Sequence, residues 1–307
     1  MPQVVLRLSK NKLQEMKHFY KQDLKANTPA NAAFAAKTIN CTITAYQSGK
    51  VLFQGTSPEM ESKRWGASMP SSSSSSSTKA HRFHPSDSLF SETHIGSDEA
   101  GTGDFFGPIT VAAAFVKDHQ IGQLKAIGVK DSKHLSDKQI THIAKQIVDM
   151  NIPYSLLRLN NSKYNTWQEK GWTQGKMKTM LHHKALESLL TKISPEKPAI
   201  LVDQFSQPSV YQKHLKSEGK TLQKGVYFMT KAESYSTSVA VASIIARSSF
   251  VKAMDQIEMD TGLPIPKGAS RTVDKAAAKI INVYGEEKLR EIAKIHFATL
   301  EKARKLT

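Results

Sequence analysis

Four carboxylates stand where this chain could do chemistry. Asp98 and Glu99 close an apolar run and lead into the turn Ala100-Gly101-Thr102-Gly103. Asp203 ends the apolar run Ala199-Ile200-Leu201-Val202, and Glu233 lies in Lys231-Ala232-Glu233-Ser234, just ahead of a long helix-forming stretch. Carboxylates at the ends of neighbouring buried strands converge on one sheet edge, where they repel one another unless a divalent cation neutralises them. An oxygen-only donor set suits Mg²⁺ or Mn²⁺ rather than zinc. Two such ions, roughly 3.5–4 Å apart, can clamp the attacking and leaving oxygens of a phosphodiester displacement. Taken singly, Asp203 and Glu233 read more readily as caps of a turn or of a following helix than as ligands. Asp98 and Glu99 are adjacent, and successive strand side chains face opposite ways, so both reach one site only where the strand ends or twists. The glycines at 101 and 103 permit that.

The elements that must carry these groups follow from pattern and composition. The chain has 307 residues, enough for two domains, and 43 Lys+Arg against 27 Asp+Glu give it a net charge of +16. That excess favours a polyanionic partner, nucleic acid or an anionic membrane surface. One cysteine, Cys41, excludes an internal disulfide and a Cys-rich zinc site, and fits a reducing compartment. The first residues hold no uninterrupted apolar stretch of the signal-peptide kind, and no run approaches the roughly 18 apolar residues of a membrane helix. The expectation is a soluble, cytoplasmic protein.

Seven consecutive serines, 71–77, mark residues 67–90 as a tether between an N-terminal unit, 1–66, and a body, 91–307. The N-terminal unit reads as a strand at Val4–Leu8 and a helix at Asn11–Lys25 capped by Asn11. Two strands follow, Lys37–Tyr46 and Lys50–Gln54. Alternation puts Ile39, Cys41, Ile43 and Ala45 on one face and Thr38, Asn40, Thr42, Thr44 and Tyr46 on the other. One helix covers one face, which leaves the second open and polar. With ten Lys/Arg against four Asp/Glu in the unit, that face fits nucleic-acid binding or a solvated structural surface, and both readings stand at this point. In the body, strands at Ser91–Asp98 and Ile109–Val116 form a hairpin. Strands near 154–158, 199–202 and 226–229 then alternate with helices near 136–150, 173–192, 236–259, 273–284 and 287–305, which predicts a mixed sheet covered by helices.

Four stretches, SDEAGTGDFFGP (97–108), VKDSKHLSD (129–137), AILVDQF (199–205) and KAESYSTSVAVASIIAR (231–247), resemble the ribonuclease HII/HIII family in content and order, on its HIII branch. The resemblance extends over nearly all of the body. It implies an α/β, ribonuclease H-like mixed sheet flanked by helices, preceded by a small α+β domain similar to the TATA-binding protein that engages substrate. It implies an endonuclease that hydrolyses the RNA strand of RNA–DNA hybrids with two Mg²⁺ or Mn²⁺ ions, leaving 5′-phosphate and 3′-hydroxyl ends. The four metal-binding and catalytic carboxylates map to Asp98, Glu99, Asp203 and Glu233, the last being Glu where HII enzymes usually carry Asp. Gly101-Thr102-Gly103 stands where HII enzymes have Gly-Arg-Gly. The missing arginine argues against cleavage at single ribonucleotides embedded in DNA, the alternative activity; a non-catalytic hybrid-binding protein is the other. No membrane and no obligatory protein partner is implied, and a monomer is expected.

Backbone groups of Gly101, Thr102 and Gly103 are candidates to meet the ribose 2′-hydroxyl, which distinguishes RNA from DNA. Lys133 is a candidate phosphate contact by its motif position, and Lys231 a weaker one. Lys267-Gly268-Ala269-Ser270 has the composition of a phosphate-contacting loop or of an ordinary interhelical turn. His182 and His183 read as packed or surface helix residues rather than proton shuttles, Trp167 and Trp172 as packing anchors, and Cys41 as core.

Overall fold

A computed structural model describes residues 3–25, 28–29, 32–66, 81–130 and 132–307, which fall into two compact units, Met1–Ala80 and His81–Thr307. The smaller unit comprises β1 (Gln3–Arg7), α1 (Lys10–Phe19), β2 (Ala32–Lys37), β3 (Cys41–Tyr46), β4 (Lys50–Gly55) and α2 (Pro58–Lys63). Its sheet is antiparallel in the order β1-β4-β3-β2. Ser9, not Asn11, caps α1, its hydroxyl accepting from Lys12 N–H at 3.4 Å. The helix turns Leu13 and Met16 inward, followed by Tyr20, onto Phe34, Ile43, Ala45, Val51 and Phe53. The expected strand Lys37–Tyr46 is interrupted: Thr38–Asn40 is a hairpin turn between β2 and β3, closed by Thr38 N–H to the Cys41 carbonyl at 2.9 Å. Apolar alternation runs straight through that turn, so Ile39 matches the core period yet is 98% exposed. Cys41 is buried on the covered face, as expected.

The open face is a set of cross-strand rows fixed by register. Lys37 pairs with Thr42 and Thr42 with Gln54. Ala35, Thr44, Leu52 and Val5 form the next row, and Lys50 pairs with Arg7. Among the described residues no helix packs on this side: Arg7, Lys37, Lys50 and Gln54 are exposed, Thr42 and Leu52 half-buried, and Ala35 and Thr44 buried within the middle row.

The larger unit holds β5 (His94–Ala100), β6 (Ile109–Val116), α3 (Ile121–Ala126), α4 (Asp137–Asp149), β7 (Tyr154–Leu159), α5 (Asn161–Glu169) and α6 (Gln174–Lys192). Then come β8 (Ala199–Asp203), α7 (Pro208–Ser217), β9 (Val226–Met229), α8 (Thr237–Thr261), α9 (Arg271–Ile292, broken at Gly285) and α10 (Ala298–Arg304). The sheet order is β7-β6-β5-β8-β9, antiparallel from β5 through β7 and parallel from β5 through β9. Every residue of β6 is buried, because Val111, Ala113 and Phe115 face α6 while Ala112, Ala114 and Val116 face α4 and α8. A strand covered on both sides reads as a continuous apolar run. Gly96 lets α8 lie against β5: a Cβ there would stand 2.1 Å from Val239 N. Any side chain would push the helix off the sheet, a change of the kind that costs about 1–3 kcal/mol.

The second part of the expected tether 67–90 belongs to the body. Residues 67–80 lie outside the described residues, whereas 81–90 pack on the body. The Phe83 carbonyl accepts from Phe228 N–H at 2.8 Å, the two rings meet edge to face, His81 bonds Gln204 at 3.0 Å, and Leu89 is buried. The serine-rich composition masked these two apolar anchors. Among the described residues no helix is long and apolar enough to cross a membrane.

Candidate active site

The parallel pair β5 and β8 sets the site. Register places Ser97 beside Val202, so Asp98 and Asp203 emerge side by side at the carboxyl ends of these strands. Asp98, Glu99, Gly101, Thr102, Gly103, Lys133 and Asp203 line one cavity of about 390 Å³, together with Ser132, Ser243 and Arg247. The adjacency of Asp98 and Glu99 is resolved without breaking the strand. Asp98 faces α8, where Ser243 bonds it, and its Oδ1 accepts its neighbour's backbone N–H at 2.7 Å. Glu99 faces α6, where Lys178 Nζ donates to Oε1 at 2.7 Å and His182 Nε2 meets Oε2 at 2.8 Å. The cavity straddles the strand end and so receives both faces.

Glu233 does not line this cavity but stands beside it, close enough to Asp203 to raise its pKa and bonded to the cavity residue Lys133. It lies in a short 3₁₀ turn (Ala232–Ser234) ahead of α8, is 4% exposed, and bonds the Lys133 ammonium. Its Oε2 is buried without a hydrogen-bond partner among the described residues. The same turn fixes Asp203, whose Oδ1 accepts Ala232 N–H at 2.9 Å.

The electrostatics reflect crowding of like charge. Burial, then Glu99 and Asp203, drive the Asp98 carboxyl well above its ordinary value. Burial raises Asp203 to about 6, assisted by Glu233 and Glu99 and opposed by the Ala232 N–H. Burial pushes Glu99 the same way, but His182 and Lys178 overcome it and hold this carboxyl below its usual range. As the side chains stand, no three acidic, His or Cys groups among the described residues converge to hold one ion. The reason is visible in the pairings: Glu99 is turned onto α6 and Glu233 onto Lys133. The donor chemistry nevertheless fits a hard divalent cation, with two carboxyls raised by burial and by neighbouring negative charge, and one buried carboxylate oxygen left unpartnered.

The remaining candidates separate. Lys231 is exposed in a left-handed backbone conformation and does not line the cavity. Lys267 pairs with Asp137, and Gly268 N–H donates to Asp104 Oδ1 at 2.6 Å, so the 267–270 loop is tied to the glycine turn. His183 is buried and bonds Gln223 at 3.0 Å, while Trp167 and Trp172 stack on each other at 4.9 Å against the core. His182 is fully buried but bonds Glu99 through one ring nitrogen and Ser97 through the other, at 2.7 Å. The sequence points to packing for His182 and assigns no role to Lys178. Their i, i+4 spacing on α6 was the available signal, since it puts both on one helix face.

A sequence profile of the ribonuclease HII family matches residues 95–300, and a profile described as a domain of unknown function (DUF3378) matches residues 3–78. The chain is 53% identical over 308 residues to ribonuclease HIII of Oceanobacillus iheyensis, covering 100% of both. It is 49% identical over 306 residues to ribonuclease HIII of Bacillus cereus, covering 99% of this chain and 98% of the relative. Among solved structures, Bst-RNase HIII in complex with Mn²⁺ is 41% identical with a TM-score of 0.68, covering 99% of each chain. The ribonuclease H2 of Pyrococcus horikoshii is 25% identical with a TM-score of 0.57, covering 70% of this chain and 96% of its own.

Proposed function

The chain belongs to the ribonuclease HII/HIII family, on the HIII branch, and from that premise we propose that this ribonuclease H cuts the RNA strand of RNA–DNA hybrids at the Asp98–Glu99–Asp203–Glu233 cluster. The observation that carries the proposal is three carboxylates lining one cavity at the end of a buried sheet, with Glu233 beside Asp203 and a glycine turn adjoining, in a chain of net charge +16. A passive phosphate binder gains nothing from such a concentration of negative charge. The Mn²⁺ bound by the Bst relative supports a divalent cation held by the same donor chemistry here.

When bound, two Mg²⁺ or Mn²⁺ ions would lower the pKa of an attacking water and neutralise charge on the departing oxygen. The residues' own work is positional. Asp98 and Asp203, fixed by Ser243 and by the Ala232 N–H, would hold cations from adjacent strands, with Glu99 and Glu233 completing the donor set. The water oxygen attacks phosphorus in line, the bond from phosphorus to the 3′ oxygen breaks, and that oxygen takes up a proton. The products carry 5′-phosphate and 3′-hydroxyl ends. Lys133, whose side chain is 69% exposed at the cavity, would meet a phosphate. Lys231, at the same 3₁₀ turn, is a weaker contact of that kind.

Gly101, Thr102 and Gly103 would face the 2′-hydroxyl, and the open sheet face of the smaller unit would bind the hybrid through Arg7, Lys37, Lys50, Thr42 and Gln54. Residues 1–66 would then act as the substrate-binding domain, in a cytoplasmic enzyme acting as a monomer.

The test compares three duplexes with Mg²⁺, with Mn²⁺ and with chelator. Metal-dependent cutting of a long RNA strand against DNA, with an embedded single ribonucleotide and all-DNA left intact, is expected. Efficient cutting at the single ribonucleotide would move the activity to the junction-cutting type. Tight hybrid binding without cutting would leave a binding module.

A further inference from the structure

Behind the Gly101–Gly103 turn lies a buried polar layer that takes no part in the chemistry above. Three carbonyls of the segment 102–107 are held by side chains distant in sequence. Gln174 Nε2, on the first turn of α6, donates to the Thr102 carbonyl at 3.1 Å. Lys294 Nζ, just beyond α9, donates to the carbonyls of Asp104 at 2.8 Å and Gly107 at 2.6 Å. Asn161 Nδ2 adds a second bond to Gly107 O at 2.9 Å.

The supports are themselves supported. Gln174 also donates to the hydroxyl of the fully buried Tyr164 at 3.2 Å. Asn165 bonds the carbonyls of Arg290 and Ala293, both at 2.9 Å, and accepts from Ile295 N–H at 3.2 Å, which fixes the backbone around Lys294. Lys294 is fully buried, and that burial pulls its pKa down to about 7 against the opposing pull of Asp104. A methionine would fill the same space without the desolvation cost of an amine. What the amine adds is a fixed direction for two carbonyls.

Peptide planarity converts these bonds into an orientation. In a trans peptide the C=O and the next N–H point opposite ways. Drawing the Thr102 carbonyl onto α6 therefore turns the Gly103 N–H away from α6. Gly103 lines the cavity, and a Cβ at this position would meet nothing within 4 Å. One residue further, the Phe105 N–H bonds the Gly268 carbonyl at 2.9 Å, so the far end of the turn is pinned as well.

We infer that Gln174 and Lys294 are positioning residues for recognition of the RNA strand, holding the carbonyls of Thr102, Asp104 and Gly107 so that the Gly101–Gly103 backbone faces the ribose. The inference rests on the reading that this turn meets the 2′-hydroxyl. Neither side chain touches substrate.

The test uses the full chain with Gln174→Met, Lys294→Met, Lys294→Gln and Gly103→Ala. Affinity for an RNA–DNA hybrid and for a DNA duplex of the same sequence is measured in chelator, and KM and kcat on the hybrid with divalent cation. Loss of one aligned hydrogen bond corresponds to roughly two- to tenfold. Gln174→Met should lower hybrid-over-DNA preference by about that factor, through KM, with kcat within about twofold; Lys294→Met should do the same or more, and Lys294→Gln should recover part of it. If Lys294→Met does not fold, Gln174→Met carries the test. A Gln174→Met protein that melts like wild type and keeps its full preference overturns the inference. Gly103→Ala separates the two layers of the argument. A loss of preference there with none in Gln174→Met defeats the positioning role alone, and no loss in Gly103→Ala defeats the turn reading and the inference with it.

Discussion

The two sheets of this molecule meet the same physical constraint in opposite ways. The five-stranded sheet is covered on both faces, so polar groups can leave it only at strand ends, where Asp98, Glu99 and Asp203 emerge. There Lys178 and His182 hold Glu99, while burial, reinforced by neighbouring carboxylates, lifts Asp98 and Asp203. Among the described residues the four-stranded sheet carries helices on one face only, and its other face presents Arg7, Lys37, Lys50, Thr42 and Gln54 in register. A desolvated strand end can tune carboxylates for bond cleavage, whereas an open polar face can only bind. The proposed function divides labour along the same line, with chemistry at the closed sheet and affinity at the open one.

Substitutions at the closed sheet should break the reaction outright. Asp203→Asn and Glu233→Gln should each lower cleavage of a hybrid by roughly 10³-fold or more, the scale expected when an interaction needed only in the transition state is removed. Single-turnover rates at saturating protein measure this, and a loss below tenfold would remove that residue from the reacting set.

The open face should answer through affinity instead. Arg7→Glu with Lys50→Glu reverses two paired cations. Hybrid affinity at low salt should fall by about tenfold or more, and the slope of log K against log salt should become shallower by about two. kcat at saturating substrate should be unchanged. An unaltered salt slope would show that the face makes no phosphate contacts.

Lys133→Ala lies between these extremes, since Lys133 lines the cavity and pairs with Glu233. A rate loss of about tenfold, with hybrid affinity falling less, would assign it to the closed sheet's chemistry. A fall confined to affinity would assign it to binding.

The smallest effect is on stability. Folding raises the Asp203 pKa from 3.8 to about 6. Its contribution is therefore fully present below about pH 4 and is lost as pH rises through about 6. In chelator, Asp203→Asn should flatten the fall in melting temperature over that window and melt slightly higher than wild type at pH 8. A wild-type melting profile with no slope between pH 4 and 6 beyond that of the variant would contradict this.

Much of the closed sheet was legible because its strands are apolar runs ending in acids, and because the hairpin turn between β5 and β6 is glycine-rich. The partners of Glu99 were not. Lys178 and His182 sit on a helix whose apolar and polar residues are nearly evenly spread, so nothing marked its inward face. Helix α5 was not legible because its polar composition carries little apolar period, whereas α7 has as much apolar period as α1 and was passed over all the same. Yet α5 supplies Asn161, Tyr164 and Asn165 to the layer behind the glycine turn. In the smaller unit, the covered and open faces of β3 followed from alternation, but Ile39 kept the same period through a turn and was misplaced in the core. Local pattern records burial only where the chain stays regular, and it does not record which distant side chain a residue is buried against.

The most direct test of the division of labour is one variant read two ways. Asp98→Asn removes a single carboxylate from the closed sheet and leaves the open face intact. The account predicts hybrid cleavage reduced by roughly 10³-fold or more, with hybrid affinity in chelator equal to wild type or slightly tighter for want of one negative charge. Cleavage persisting within tenfold of wild type, or cleavage and affinity falling together in a folded protein, would contradict it.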